Sequence, residues 1–225
     1  MPVSVKKKQA GEAPALAVGS VSRKPMQGRS KASLERMLAA ARDLMIERGS
    51  EEFTLQEVSQ RGNVSIGSIY LRFESKDNLV RAVIANALEE IGRDEKAMID
   101  RLAACRTLDE FVPRFVESYA EVLRINAPLL RLCMQRAAYD PLVSGPGKKH
   151  AFRAEDMCRD AVLRFATEIG GGDTHLRATS AYHIIFATLA RQLSLGSSGE
   201  SVHEYDWDIL KRELGLMCLS YLKAG

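Results

Sequence analysis

Little in this 225-residue sequence announces chemistry. The four cysteines (Cys105, Cys133, Cys158, Cys218) form no CxxC pair and have no metal-ligand spacing, which predicts reduced thiols on or near helix cores. The four histidines (His150, His175, His183, His203) lie far apart and make no HxxxH or HExxH pair. There is no GxSxG elbow, phosphate loop or dinucleotide fingerprint. These absences predict a chain that is not an enzyme and uses no metal or cofactor. No apolar run reaches the roughly 18 residues that span a bilayer. The N-terminus is charged but lacks an apolar core and a cleavage site, so neither membrane insertion nor a secretory signal is expected, and the expected location is the cytoplasm. Only seven prolines occur, with no alternating strand pattern and no internal repeat. The expectation is all-α.

Excess charge is missing too, once its location is considered. The net charge is +3, but residues 1–28 hold Lys6, Lys7, Lys8, Arg23 and Lys24 against Glu12, so that +4 sits there and −1 in the rest. The basic segment 1–28 is aperiodic and is expected to be disordered. It reads either as a solvated tail or as an arm that enters a minor groove or tracks phosphates. Charge alone therefore does not argue for nucleic acid.

The helix pattern does. In the stretch from Thr54 to Lys76, Thr54 and Glu57 form a capping box ahead of Leu55 and Val58. Gly62-Asn63 ends that helix, and Asn63 tolerates the left-handed conformation of a tight turn. Ser65 caps a second short helix, read as Ser65–Phe73, in which Ile69 and Phe73 face inward. Ile66, Gly67, Ser68, Tyr70 and Arg72 are left on its other faces. A short helix on a tight turn, showing small, hydroxyl, aromatic and cationic groups, has the geometry that enters a DNA major groove.

From about Ser33 to Leu79 the sequence resembles the DNA-binding domain of the tetracycline-repressor (TetR) family of bacterial transcription regulators. The resemblance is carried by Glu47-Arg48-Gly49, Phe53-Thr54-Leu55 with Val58, Asn63-Val64-Ser65, Gly67-Ser68-Ile69-Tyr70, and Phe73-Glu74-Ser75-Lys76-Asp77 with Leu79. Asn63, Ser50 and Ile66 depart from the usual pattern, and an apolar Ile66 reaches only a thymine methyl or a sugar. The resemblance implies that the Ser65 helix is the recognition helix. Thr54, Tyr70 and Lys76 would then hold phosphates, Arg72 would read guanine, and Ser65, Ile66, Gly67 and Ser68 would face the groove. Against this stands the plain reading that Tyr70 and Arg72 only coat a solvated helix.

Further helices are expected at Lys31–Arg48, from Ser75 to about Cys105 with a candidate bend at Gly92, from Thr107, and over Ala127–Tyr139. A Pro- and Gly-rich loop at 140–147 is expected next, then helices at about 149–169, 174–195 and 205–223. The resulting organisation is a tail (1–28), a helix-turn-helix DNA-binding domain (29–76) and a larger helical domain (77–225). The resemblance implies an effector pocket in the latter for an unknown small molecule. Candidate lining residues are Phe111, Phe115, Tyr119, Met134, Met157, Phe165, His183 and Phe186, with Arg136 supplying charge for an acidic effector. Each is also readable as core, His183 in particular as a satisfied core histidine.

The helices at 176–195 and 205–223 are apolar on more than one face and ask for a second copy, forming an intersubunit four-helix bundle. The leading expectation is a homodimeric, ligand-responsive repressor of a palindromic double-stranded DNA operator. Its rivals are a helical small-molecule carrier or enzyme with structural N-terminal helices, and a protein adaptor that keeps the shape without touching DNA.

Overall fold

The computed structural model describes residues 28–196 and 205–225, so the basic-arm expectation lies almost entirely outside the described residues. Among the described residues there are eight α-helices and no strand: α1 (Gly28–Arg48), α2 (Leu55–Arg61), α3 (Ile66–Tyr70), α4 (Lys76–Leu102), α5 (Leu108–Ala137), α6 (Pro141–Leu163), α7 (Thr174–Gln192) and α8 (Trp207–Lys223). A 3-10 turn at Ala166–Glu168 precedes α7.

Two apolar clusters hold these helices together. In the first, Met37, Ala41 and Met45 of α1 enclose Val58, Ile69 and Phe73 and meet Leu79 and Val83 of α4. Leu129, Leu132 and Cys133 of α5 and Val143 of α6 close it from the other side. The second is larger and joins Ile91 and Met98 of α4 to Phe111, Phe115 and Tyr119 of α5, Cys158 and Val162 of α6, Tyr182 and Ile185 of α7, and Leu214 and Cys218 of α8. Both α4 and α5 thus contribute to both clusters. All four cysteines are free and buried.

Three expectations about continuity are corrected. Pro128 does not divide 108–137: α5 runs unbroken through it. A mid-helix proline costs about 3 kcal/mol, and here Leu123, Ala127, Leu129 and Leu130 are buried on either side of it. Likewise 140–147 is not a loop. The Asp140 carboxylate accepts the Leu142 N–H at 3.1 Å as N-cap, Pro141 opens α6, and Val143 is buried in the first cluster. Tertiary burial of Val143 outweighs the turn preference of Gly145-Pro146-Gly147. Gly92 does not interrupt α4 either. Helix α8 is pinned to α5 by the buried Lys211, whose ammonium meets Glu117 at 2.7 Å and Glu121 at 3.0 Å.

Candidate DNA-binding surface and ligand cavity

The turn between α2 and α3 is built as its capping residues require. The Thr54 hydroxyl accepts the Glu57 N–H at 3.2 Å while the Glu57 carboxylate accepts the Thr54 N–H at 2.7 Å. Arg48 pairs with Glu57 at 2.5 Å; that bond first, and the Thr54 bonds after it, hold the carboxyl at about 2. Asn63 takes φ +45°, and the Val64 N–H then donates to Ser59 O at 3.1 Å. Ser65 caps α3 by accepting the Ser68 N–H at 3.1 Å, and the two serine hydroxyls lie 2.7 Å apart.

Helix α3 is shorter than expected, ending at Tyr70. Ile69 and Phe73 are fully buried, as their spacing requires. Thr54, Ser65 and Gly67 are exposed, Ile66 and Ser68 half-buried, and Tyr70 is 61% exposed. Lys76 is half-buried, with its ammonium 4.9 Å from the centre of the Phe53 ring.

Arg72 does not point outward as the sequence suggested. It is only 9% exposed, and its Nη2 donates to the Ser30 carbonyl at 2.7 Å and the Ser30 hydroxyl at 2.6 Å. Three residues on from the buried Ile69, Arg72 lies beside the inward side of the turn, where its guanidinium ties the turn to the first turn of α1. The exposed Leu71, not singled out from the sequence, stands beside Tyr70 instead.

A cavity of about 660 Å³ opens among α4, α5, α6 and α7. Its walls are largely apolar, from Leu88, Ile91, Leu123, Leu130 and Phe186 among others, and its polar groups include Glu95, Tyr119, Glu155, Tyr182, Lys148 and the two histidines His150 and His183. The Tyr119 and Tyr182 hydroxyls are 3.2 Å apart. Glu95 is 3% exposed and makes no hydrogen bond among the described residues; His150 Nε2 is 3.6 Å from its carboxylate. Burial, aided by Asp94, pushes the Glu95 carboxyl up to about 7. Burial and then Arg153 push the His150 imidazolium down, favouring its neutral ring.

Of the lining residues expected from sequence, Tyr119, Met134, His183 and Phe186 are on the wall. Phe111, Phe115 and Phe165 are not; they pack on one another, with ring centres 5.6 Å apart for the first two and 5.3 Å for Phe111 and Phe165. Met157 packs against the same core. His183 is no core histidine. It is exposed at the rim, with Nε2 3.3 Å from Glu155.

Arg136 points away from the cavity and supplies no charge to it. Its side chain is 6% exposed and holds Glu51 at 2.6 Å, Asp77 at 2.9 Å and Asp140 at 2.8 Å. Arg81 also reaches Asp140, at 2.8 Å. Burial disfavours the guanidinium charge, but the bonds to Asp140, Asp77 and Glu51 outweigh it and raise its pKa. This charge cluster joins the α1–α2 turn, the start of α4 and the start of α6, next to the cavity-lining Ala137 and Ala138.

On the outside, Leu176 and Ile184 of α7 and Ile209, Leu216, Met217 and Tyr221 of α8 remain exposed. Among the described residues no group of His, Cys, Asp and Glu is placed to hold a metal, and no helix is long and apolar enough to cross a membrane.

Comparison with known proteins agrees with this geometry. Residues 37–83 match the family described as bacterial regulatory proteins, tetR family. No curated protein matches the sequence. Among solved structures, a putative TetR-family transcriptional regulator from Mesorhizobium loti is similar at 17% identity, covering 87% of this chain and 98% of that one, with a TM-score of 0.71. A transcriptional regulator from Rhodococcus sp. Rha1 is similar at 20% identity, 86% and 99% coverage, and a TM-score of 0.63. The transcriptional regulator FadR from Bacillus subtilis, in complex with stearoyl-CoA, is similar at 15% identity, 83% and 98% coverage, and a TM-score of 0.61. The chain has the TetR-family fold: a helix-turn-helix unit followed by a larger helical domain.

Proposed function

We propose that this chain, with its TetR-family fold, is a transcription regulator that binds a near-palindromic DNA operator as a homodimer and changes its grip when a small apolar molecule occupies the cavity. One observation carries the reading: α3 stands on a tight turn with Ser65, Gly67, Ser68 and Tyr70 at the surface, flanked by Thr54 and Lys76. In this reading residues 29–76 hold DNA and 77–225 bind the ligand and the second copy. Ser65, Ile66, Gly67 and Ser68 meet the groove, while Thr54, Tyr70 and Lys76 meet phosphates. Arg72 acts through Ser30 and α1 rather than on a base.

The second copy packs on the apolar face of α7 and α8, placing two α3 helices about 34–36 Å apart on successive major grooves. The ligand switches the protein only if it binds one spacing of those helices better than the other. The complex of the Bacillus subtilis protein with stearoyl-CoA supports a ligand-binding role for the cavity here, without fixing its ligand.

The test is binding to an inverted repeat and to random duplex across a salt titration. A regulator shows operator preference and a steep salt slope. A carrier or adaptor shows neither.

A further inference from the structure

We propose that the cavity is built for a lipophilic amine, whose apolar body fills the space among α4 to α7 and whose ammonium group docks on the Glu95 carboxylate. The assignment rests on the reading of this cavity as the ligand site and deepens it.

Glu95 is the observation that points to a ligand. Its side chain is buried, with 4% exposed, lies on the cavity wall, and receives no hydrogen bond among the described residues. Buried carboxylates are ordinarily satisfied by two or more donors. His150 stands 3.6 Å away, outside hydrogen-bond range, and its surroundings favour the uncharged ring. Tyr119 and Tyr182 direct their hydroxyls toward each other at 3.2 Å. The carboxyl therefore faces a largely apolar space with its hydrogen-bonding capacity unused, and its ionised form in that position calls for a counter-charge carrying donors.

Charge around the cavity agrees. A second acid, Glu155, lies on the wall, and the one lysine there, Lys148, is exposed. A carboxylate headgroup entering beside Glu95 meets like charge in a poorly solvated site; an ammonium meets its complement.

The experiment is calorimetric titration of the full-length protein with decylamine, decanol and decanoate, three probes of equal chain length, all below their aggregation limits. Decylamine should bind at least tenfold more tightly than either of the others. Glu95→Gln should bring decylamine to the level of decanol while leaving decanol within about threefold of its wild-type affinity. Glu95→Asp keeps the charge and should keep the amine preference, which covers the case in which the glutamine variant does not fold. Equal affinity for the three probes, tightest binding of decanoate, or an amine preference that survives Glu95→Gln would overturn the assignment. No DNA enters these titrations. A decylamine complex that leaves operator affinity unchanged would sink the switch but not this assignment. A protein indifferent to the amine but released from DNA by another ligand would do the reverse.

Discussion

Arg136 reaches back across 59 residues to Asp77, Nη2 to Oδ1 at 2.9 Å, and the same guanidinium holds Glu51 at 2.6 Å and Asp140 at 2.8 Å. One side chain at the end of α5 thus binds acids from three other places in the chain. Asp140 is as buried as Arg136 itself, so removing the arginine strands a buried carboxylate that only Arg81 and the Leu142 N–H still satisfy. Arg136→Ala should destabilise the protein by about 3 kcal/mol, the lower end for a broken buried pair. Thermal unfolding should fall by roughly 6–12 °C for a chain of this size. Arg136→Lys should recover only part of this, because a point charge cannot replace the three-way fork. A melting temperature within a degree or two of wild type in Arg136→Ala would remove the cluster from the stability argument.

At the proposed DNA-binding surface, Lys76→Ala should weaken binding to operator and random duplex about equally and lower the salt slope by about one. Arg72→Ala should behave similarly in sequence preference, for a different reason: it frees Ser30 and the first turn of α1 from the turn after α3. Ser30→Ala, which leaves only the carbonyl acceptor, should show a weaker version of the same effect. A mobility-shift comparison decides. If Arg72→Ala lost operator preference while random binding stayed intact, a direct base contact would replace the anchoring role.

Glu95 sets a pH dependence of stability. Its native carboxyl is raised from 4.5 to about 7, so between those values the folded protein retains a proton that the unfolded chain has released. Stability contributed by this group therefore falls as pH rises through that window and levels off above it, by about 3 kcal/mol in all. Glu95→Gln should remove this loss, making the variant more stable than wild type at pH 8 and closer to it at pH 5. Urea melts at the two pH values provide the check; parallel shifts in both proteins would rule out the perturbed carboxyl.

The outer face of α7 and α8 should be equally sensitive. Met217 is 65% exposed and Leu216 52% in the single chain, consecutive residues in the middle of α8. Leu216→Glu with Met217→Glu should convert a dimer into a monomer by sedimentation, with folding unchanged and operator binding reduced by well over tenfold. A double variant that sediments as wild type would place the partner elsewhere.

What the sequence disclosed follows from how local each signal is. Thr54, Ser65, Ser75 and Thr107 each accept an N–H from the residue three positions on, and all four were readable because a cap needs only its own turn. The inward pair Ile69 and Phe73 was readable for the same reason. Residues 140–147 were misread because the burial of Val143 in the first cluster, where α6 packs on α4 and α5, overrides local turn preference. Arg72 lies three residues from the buried Ile69, and the Ser30 oxygens that draw it inward are 42 residues away in sequence, beyond any local signal. Periodicity marked the aromatics of α5 as inward but could not tell a packed face from one bordering a void, so Phe111 and Phe115 were grouped with Tyr119. Glu95 went unremarked because, next to Asp94 and near Glu89 and Glu90, it looks like part of a solvated acidic face.

Helix α4 carries Lys76, beside the Phe53 ring, at its first position and Glu95, on the cavity wall, nineteen residues later. At 1.5 Å per residue the two are separated by about 28 Å along one stiff rod. A tilt of about 5° pivoting near the glutamate displaces the lysine end by roughly 2.5 Å, nearly the length of a hydrogen bond. In the proposed switch, a guest that merely nudges the acid would thus be felt, enlarged, at a phosphate it never approaches.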